Sequence, residues 1–122
     1  MQHAVQAYGK LAQTTSSPRE LEATILLRAA TKLQIVKDEW DTRAGELHEA
    51  LTYNRKLWTI LAAAVARPDH PLPRPIRQNI ANLALFIFQR TFDLTVSPER
   101  DGIAALVTIN RQIAQGLRSQ GG

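Results

Sequence analysis

The chain of 122 residues contains no cysteine, which excludes disulfide staples and thiolate chemistry. Alternation of apolar and polar residues with β-branched clusters is also missing, so nothing in the pattern asks for a sheet. Nor is there a glycine-rich loop to cradle a phosphate. The longest apolar stretches, ILAAAVA and IANLALFIF, fall well short of the roughly 20 residues a membrane helix needs. The opening MQHAVQAYGK has neither an apolar h-region nor a cleavage site, so no signal peptide is expected and a cytoplasmic protein is the default.

Catalytic constellations are equally scarce. His3, His48 and His70 have no second ligand three or four residues away on a common helix face, so no metal site is expected. His48-Glu49 fails as a zinc-protease motif because Thr52 stands where its second histidine belongs. Of the close carboxylate pairs, Glu20/Glu22 is accounted for by helix capping, and Glu46/Glu49 reads as a solvated face. Without a nucleophile and base, a metal cluster or a cofactor loop, the expectation is a protein that is not an enzyme and carries no cofactor.

With 44% hydrophobic residues, the chain suffices for one domain with a modest core, taken as residues 1–122 with 118–122 as a disordered tail. Charge is unevenly spread. Residues 1–49 carry six Lys/Arg against seven Asp/Glu, and residues 50–122 carry nine against four. A basic second half suits RNA or an acidic partner, but a dispersed excess of this size also suits a solvated face.

The periodicity is helical throughout, predicting an all-α fold: a single small bundle of about five helices. A short first helix is expected over 2–13, with Val5, Tyr8, Leu11 and Ala12 on one side. The second opens at SPRE, where Ser17 is the N-cap, Pro18 takes the first helical position and Glu20 completes a capping box. Its core face is Leu21, Ile25, Leu26, Ala29, Leu33, Val36 and Trp40. The stripe continues in phase through Ala44, Leu47 and Leu51, yet one helix over 18–66 would span about 70 Å, too long for this domain. A break or kink is therefore expected between residues 41 and 45. The third helix is stopped near Ala66 by RPDHPLPRP, read as an extended, stiff connector. The fourth, from Ile76, has two apolar stripes: Ile76, Ile80, Leu83, Ile87 and Leu94, and Ala81, Leu85, Phe88 and Phe92. The fifth is expected to begin at SPER with Ser97 as N-cap, and to fade at LRSQGG.

Two stripes hold an asparagine: Leu47, Leu51, Asn54, Trp58, Leu61, Val65, and Ile103, Leu106, Asn110, Ile113, Leu117. Such a residue lowers stability but fixes register and pairing in a helix bundle. Asn54, Asn79, Asn82 and Asn110 are accordingly expected to find partners across helices as a polar seam, with contact to a bound chain as the competing role. Arg55 and Arg111, one residue further round, are expected at the rim. The fourth helix is apolar over more of its girth than four short neighbours need, so its surplus is a candidate groove for an amphipathic helix. Trp58, Leu85, Phe86, Phe88 and Phe92 are the candidate partner-binding residues, though aromatics at helical spacing are also ordinary core. Phe86, lying off both stripes, is the preferred single anchor.

Four segments in this order, SPRELEATILLRAATKLQ, ALTYNRKLW, LPRPIRQNIANLALFIF and INRQIAQGLR, resemble the bacterial flagellar biosynthesis regulators of the FlaF family over about residues 4–118. The resemblance matches Asn54-Arg55, Trp58, Asn79-Ile80, Asn82-Leu83 and Asn110-Arg111 to recurring positions of that family, with DLTVSPERDGIA the least similar stretch. It implies a regulator of flagellum biogenesis that promotes flagellin synthesis, opposes the repressor FlbT and binds flagellin in a chaperone-like way. Flagellin is then the leading partner, since its amphipathic terminal helices need a covering groove before export. Two alternatives stand beside it: an RNA-binding post-transcriptional regulator acting on flagellin message, and a structural adaptor or homodimer burying the surplus face against itself.

Overall fold

In the computed structural model of the chain, residues 17–121 are described, and the helix expected over 2–13 lies outside them. Helix α1 (Pro18–Asp38) starts where Ser17, in extended conformation, accepts the Glu20 backbone N–H on Oγ at 3.1 Å, and Pro18 supplies a preset φ. Only this half of the expected capping box forms, and Glu20 does not close it. The Glu20 carboxylate reaches across the bundle to Arg118, with 3.1 Å between Oε1 and Nη2. The stripe Leu21, Ile25, Leu26, Ala29, Leu33 and Val36 is buried as expected, with Trp40 half-buried against the core.

The helix breaks first at Glu39, just ahead of the 41–45 window, and again inside it, at Arg43 (φ −119°, ψ 8°). It ends at Asp38, with Glu39 leaving helical geometry at φ −112° and ψ 40°. A single-turn helix α2 (Trp40–Arg43) and a 3-10 turn (Ala44–Glu46) lead into α3 (Leu47–Val65). The break leaves Asp38 as the last residue of α1 and Glu39 as its cap, where a carboxylate is unfavourable, while Asp41 falls in the first turn of α2, where one is favourable. Arg43 then bridges Glu39 and Glu46 at 3.0 and 3.1 Å, bracing the corner.

The proline-rich connector is not extended. It folds back through a turn in which the His70 N–H donates to the Arg67 carbonyl at 3.1 Å, with Pro68 at the position proline prefers. Arg77 holds it down by donating to the carbonyls of Leu72 (3.0 Å) and Arg67 (3.3 Å), and Leu72 is buried. Helix α4 (Arg74–Val96) follows. Ser97 does not cap the last helix. Its N–H donates back to Asp93 at 2.8 Å and closes α4, because the residue before a proline is pushed out of helical geometry. A 3-10 turn (Arg100–Gly102) then leads into α5 (Ile103–Gly121), so residues 118–121 are helical, not a disordered tail.

Four long helices and no strand make up the described residues, an all-α bundle close to the expectation. The most extensive packing is between α1 and α5, and α1 buries three alanines, Ala23, Ala29 and Ala30. The two run antiparallel. Arg118 near the end of α5 meets Glu20 at the start of α1, and Arg100 before α5 donates to the Lys37 carbonyl at the end of α1 at 2.9 Å. α3 packs on α1 and carries α4 on its other side, while α4 touches α5 only lightly. Gly102 is set by space: a Cβ there would lie 2.6 Å from Leu94 Cδ2, and both residues are buried.

Candidate functional site

The asparagine stripes converge. Asn54 on α3 and Asn110 on α5 are both fully buried, and the Asn110 amide is a three-helix node. Its Nδ2 donates to Asn54 Oδ1 at 2.7 Å and to the Leu26 carbonyl on α1 at 3.2 Å. Its Oδ1 accepts the indole N–H of Trp58 at 2.9 Å. Only one facing of these groups fits the seam, because a donor can sit opposite only an acceptor. The remaining Asn54 Nδ2 is buried with no hydrogen-bond partner among the described residues. Asn79 and Asn82 do not join this seam. Both are exposed on α4, where Gln78 Nε2 donates to Asn82 Oδ1 at 3.1 Å within the same helix. They fall outside the α4 core stripe, so they never reach another helix. Trp58 is corrected likewise: it is fully buried and committed to Asn110, so it is core and not partner-binding surface.

The surplus apolar surface of α4 divides into two flanks. On one, Leu85 (69% exposed), Phe92 (67%) and Val96 (69%) follow one another at helical spacing, with half-buried Phe88 between them. On the other, Phe86 (40% exposed) lies under the Arg90 guanidinium at 5.3 Å. The first flank borders an open groove of about 560 Å³ between α3 and α4. From α4 it is lined by Phe88, Thr91, Phe92 and Thr95, and from α3 by His48, Leu51, Thr52, Arg55 and Lys56. The threonines of α4 are apolar walls in effect. Thr91 donates its hydroxyl to the Ile87 carbonyl at 2.6 Å and Thr95 to Thr91 at 2.8 Å, so their methyls are left for the groove. The α3 wall brings Arg55 and Lys56, both exposed, and among the described residues no carboxylate lines the groove.

The model of the flagellar protein FlaF family matches residues 4–117, nearly the whole chain. The chain belongs to the FlaF family. No curated protein and no solved structure matches it significantly.

Membership in FlaF makes this a flagellum-related chain and lends the α3–α4 groove its context. Of the five partner-binding candidates, Phe88 and Phe92 line the groove, Leu85 lies on its flank, Phe86 faces the other way and Trp58 is interior. Arg55 and Arg111 are exposed, as expected. Sequence reading missed Thr91, Thr95, Lys56 and His48 as lining residues. Their signal was available as the register of each helix, but which flank meets the neighbour is decided by the bundle.

Other titratable groups are structural in setting. Arg19 and Glu22 pair at 2.9 Å without hydrogen-bond alignment, and burial pushes the Glu22 carboxyl above its ordinary value, opposed by the Arg19 charge. Burial also raises Tyr53, against the opposing effect of Arg28, and Lys32 sits 5.1 Å from its ring. In the connector, burial and then the Arg19 and Arg77 charges lower His70, whose Nδ1 accepts the Leu72 N–H at 3.2 Å. Among the described residues no cluster of His, Asp and Glu could hold a metal ion, and no helix is long and apolar enough to cross a membrane.

Proposed function

We propose that this FlaF-family protein is a non-enzymatic regulator of flagellum biosynthesis that promotes flagellin synthesis by binding flagellin as a chaperone-like partner. One observation carries the reading: a flagellar-family helix bundle leaves a run of large apolar side chains, Leu85, Phe92 and Val96, in solvent beside an open groove. Contiguous exposed apolar surface of this kind marks a docking site, and a groove between two helices suits an amphipathic helix. Flagellin's terminal helices, unpaired before export, have that character. Isolated Phe86, capped by Arg90, offers no comparable surface.

The test is a calorimetric titration of flagellin into the wild-type protein and two single variants. Truncating an anchoring aromatic costs about 2 kcal/mol or more, roughly thirtyfold in affinity. Phe92→Ala should lose at least that, and Phe86→Ala should bind nearly as wild type. Both side chains are substantially exposed, so circular dichroism should show both variants folded. Tight binding of flagellin message without binding of flagellin would replace this reading with the RNA-regulator alternative.

A further inference from the structure

The groove's chemistry is lopsided. Its floor is apolar, made by Leu51, Phe88 and Phe92, and its α3 rim offers Arg55 and Lys56 with His48 beside them. Arg55 and Lys56 are exposed, and neither takes part in an ion pair among the described residues. Cations that brace this fold hold a carboxylate or a backbone carbonyl, as Arg43 does with Glu39 and Glu46, Arg118 with Glu20, and Arg77 with Leu72 and Arg67. These two instead border an apolar trough with no acid among its described lining residues.

From this we infer that the α3–α4 groove selects its occupant by charge: it takes an amphipathic helix whose apolar stripe is flanked on one side by acidic residues. The apolar stripe seats on Phe88 and Phe92, and the acidic flank lies along α3 opposite Arg55 and Lys56. Complementary charge at such a rim governs partner choice and encounter rate more than raw affinity, and like charge is penalised. Charge complementarity favours an acidic partner chain over a second copy. The second half of this chain, which holds every groove residue except His48, carries nine Lys/Arg against four Asp/Glu. The inference rests on the docking reading above and narrows it to a partner of stated chemistry.

Two synthetic helical peptides test it, sharing one leucine stripe but flanked by glutamates in one and lysines in the other. Fluorescence anisotropy should show the glutamate peptide binding at least about tenfold more tightly at low salt, with the preference shrinking as salt rises and screening shortens. Arg55→Glu with Lys56→Glu should reverse the preference, and Phe92→Ser should weaken both peptides. All three positions are exposed, so the variants should fold as the wild type does by circular dichroism. Equal binding of the two peptides, or a preference untouched by charge reversal, overturns the inference. So does concentration-dependent self-association that disappears in Phe92→Ser, since the groove would then be a homodimer face. Tight RNA binding abolished by the charge reversal while the peptides are ignored overturns it as well. If the glutamate peptide binds selectively but flagellin does not, the flagellin reading falls and the acidic-helix inference stands.

Discussion

Asn54 and Asn110 are both fully buried, yet removing them should cost very different amounts. Asn110→Ala strands the Trp58 indole N–H, which loses its acceptor at 2.9 Å, and leaves Asn54 Oδ1 without its donor at 2.7 Å. A buried unsatisfied polar group costs about 1–3 kcal/mol, and the truncation adds a small cavity at the meeting of three helices. The sum is about 3–5 kcal/mol, a large part of the roughly 5–15 kcal/mol that holds a small domain together. Asn54→Ala is milder. It removes one acceptor from Asn110 Nδ2, which keeps the Leu26 carbonyl at 3.2 Å, and it also deletes an Nδ2 that is buried without a partner among the described residues. That relief offsets part of the loss, so about 1–2 kcal/mol is expected. Equilibrium urea unfolding followed by tryptophan fluorescence gives both values, and the double variant gives the coupling, expected to exceed about 0.5 kcal/mol for groups in contact. Equal costs for the two alanines, or a loss at Asn110 of only a few tenths of a kcal/mol, would refute the node.

Ser17→Ala should cost about 1 kcal/mol in the same unfolding assay, because Ser17 Oγ satisfies the Glu20 N–H at the first turn of α1. A neutral result would mean that water replaces the cap. Gly102→Ala should destabilise by about 1–3 kcal/mol as the new methyl drives into buried Leu94, and Gly102→Ala with Leu94→Val should recover part of that if space is the cause. His70 gives a pH signature. Its folded-state value is lowered below 6.5, so between the folded and unfolded values the unfolded chain binds more protons and stability rises with pH. The contribution is whole above about 6.5 and is lost as the pH falls from there through the folded-state value. His70→Gln, which keeps an acceptor but cannot titrate, should flatten this part of the melting-temperature profile; an unchanged slope would assign the effect to another group.

Much of the bundle was legible because a single-stripe helix has one solution. The residues at 47, 51, 54, 58, 61 and 65 occupy one face, and every one of them is buried, with both asparagines brought to the same level. That logic also shows why Trp58 was wrongly offered as binding surface: a residue centred in the only apolar stripe of its helix has nowhere to go but inward. α4 was ambiguous for the opposite reason. With apolar residues around most of its girth, its pattern announces a surplus without saying which flank a neighbour covers. Asn79 and Asn82 inherited their place in the seam from their residue type, although their register sets them on the solvent side. The two Ser-Pro pairs teach the limit of local signals. Ser17-Pro18 starts a helix through a hydroxyl cap, while Ser97-Pro98 ends one, because the apolar stripe runs forward from the first and up to the second.

The same contrast explains how the bundle can be both stable and adhesive. α1 has 21 residues and buries eight of them, threaded between α3 and α5 and tied to them through the Asn110 node. α4 is longer, at 23 residues, yet buries only five, and it leans chiefly on α3. Burial of large apolar side chains is worth roughly 1.5–3 kcal/mol each, so the free energy of folding is concentrated in the α1–α3–α5 unit. α4 is then free to keep Leu85, Phe92 and Val96 in water, because their burial is not needed to hold the fold. A helix covering that flank would gain the apolar transfer free energy that folding left unused. Its cost is the ordering of the partner, which the α3–α4 trough lowers by presenting a preformed apolar groove with Arg55 and Lys56 at its rim.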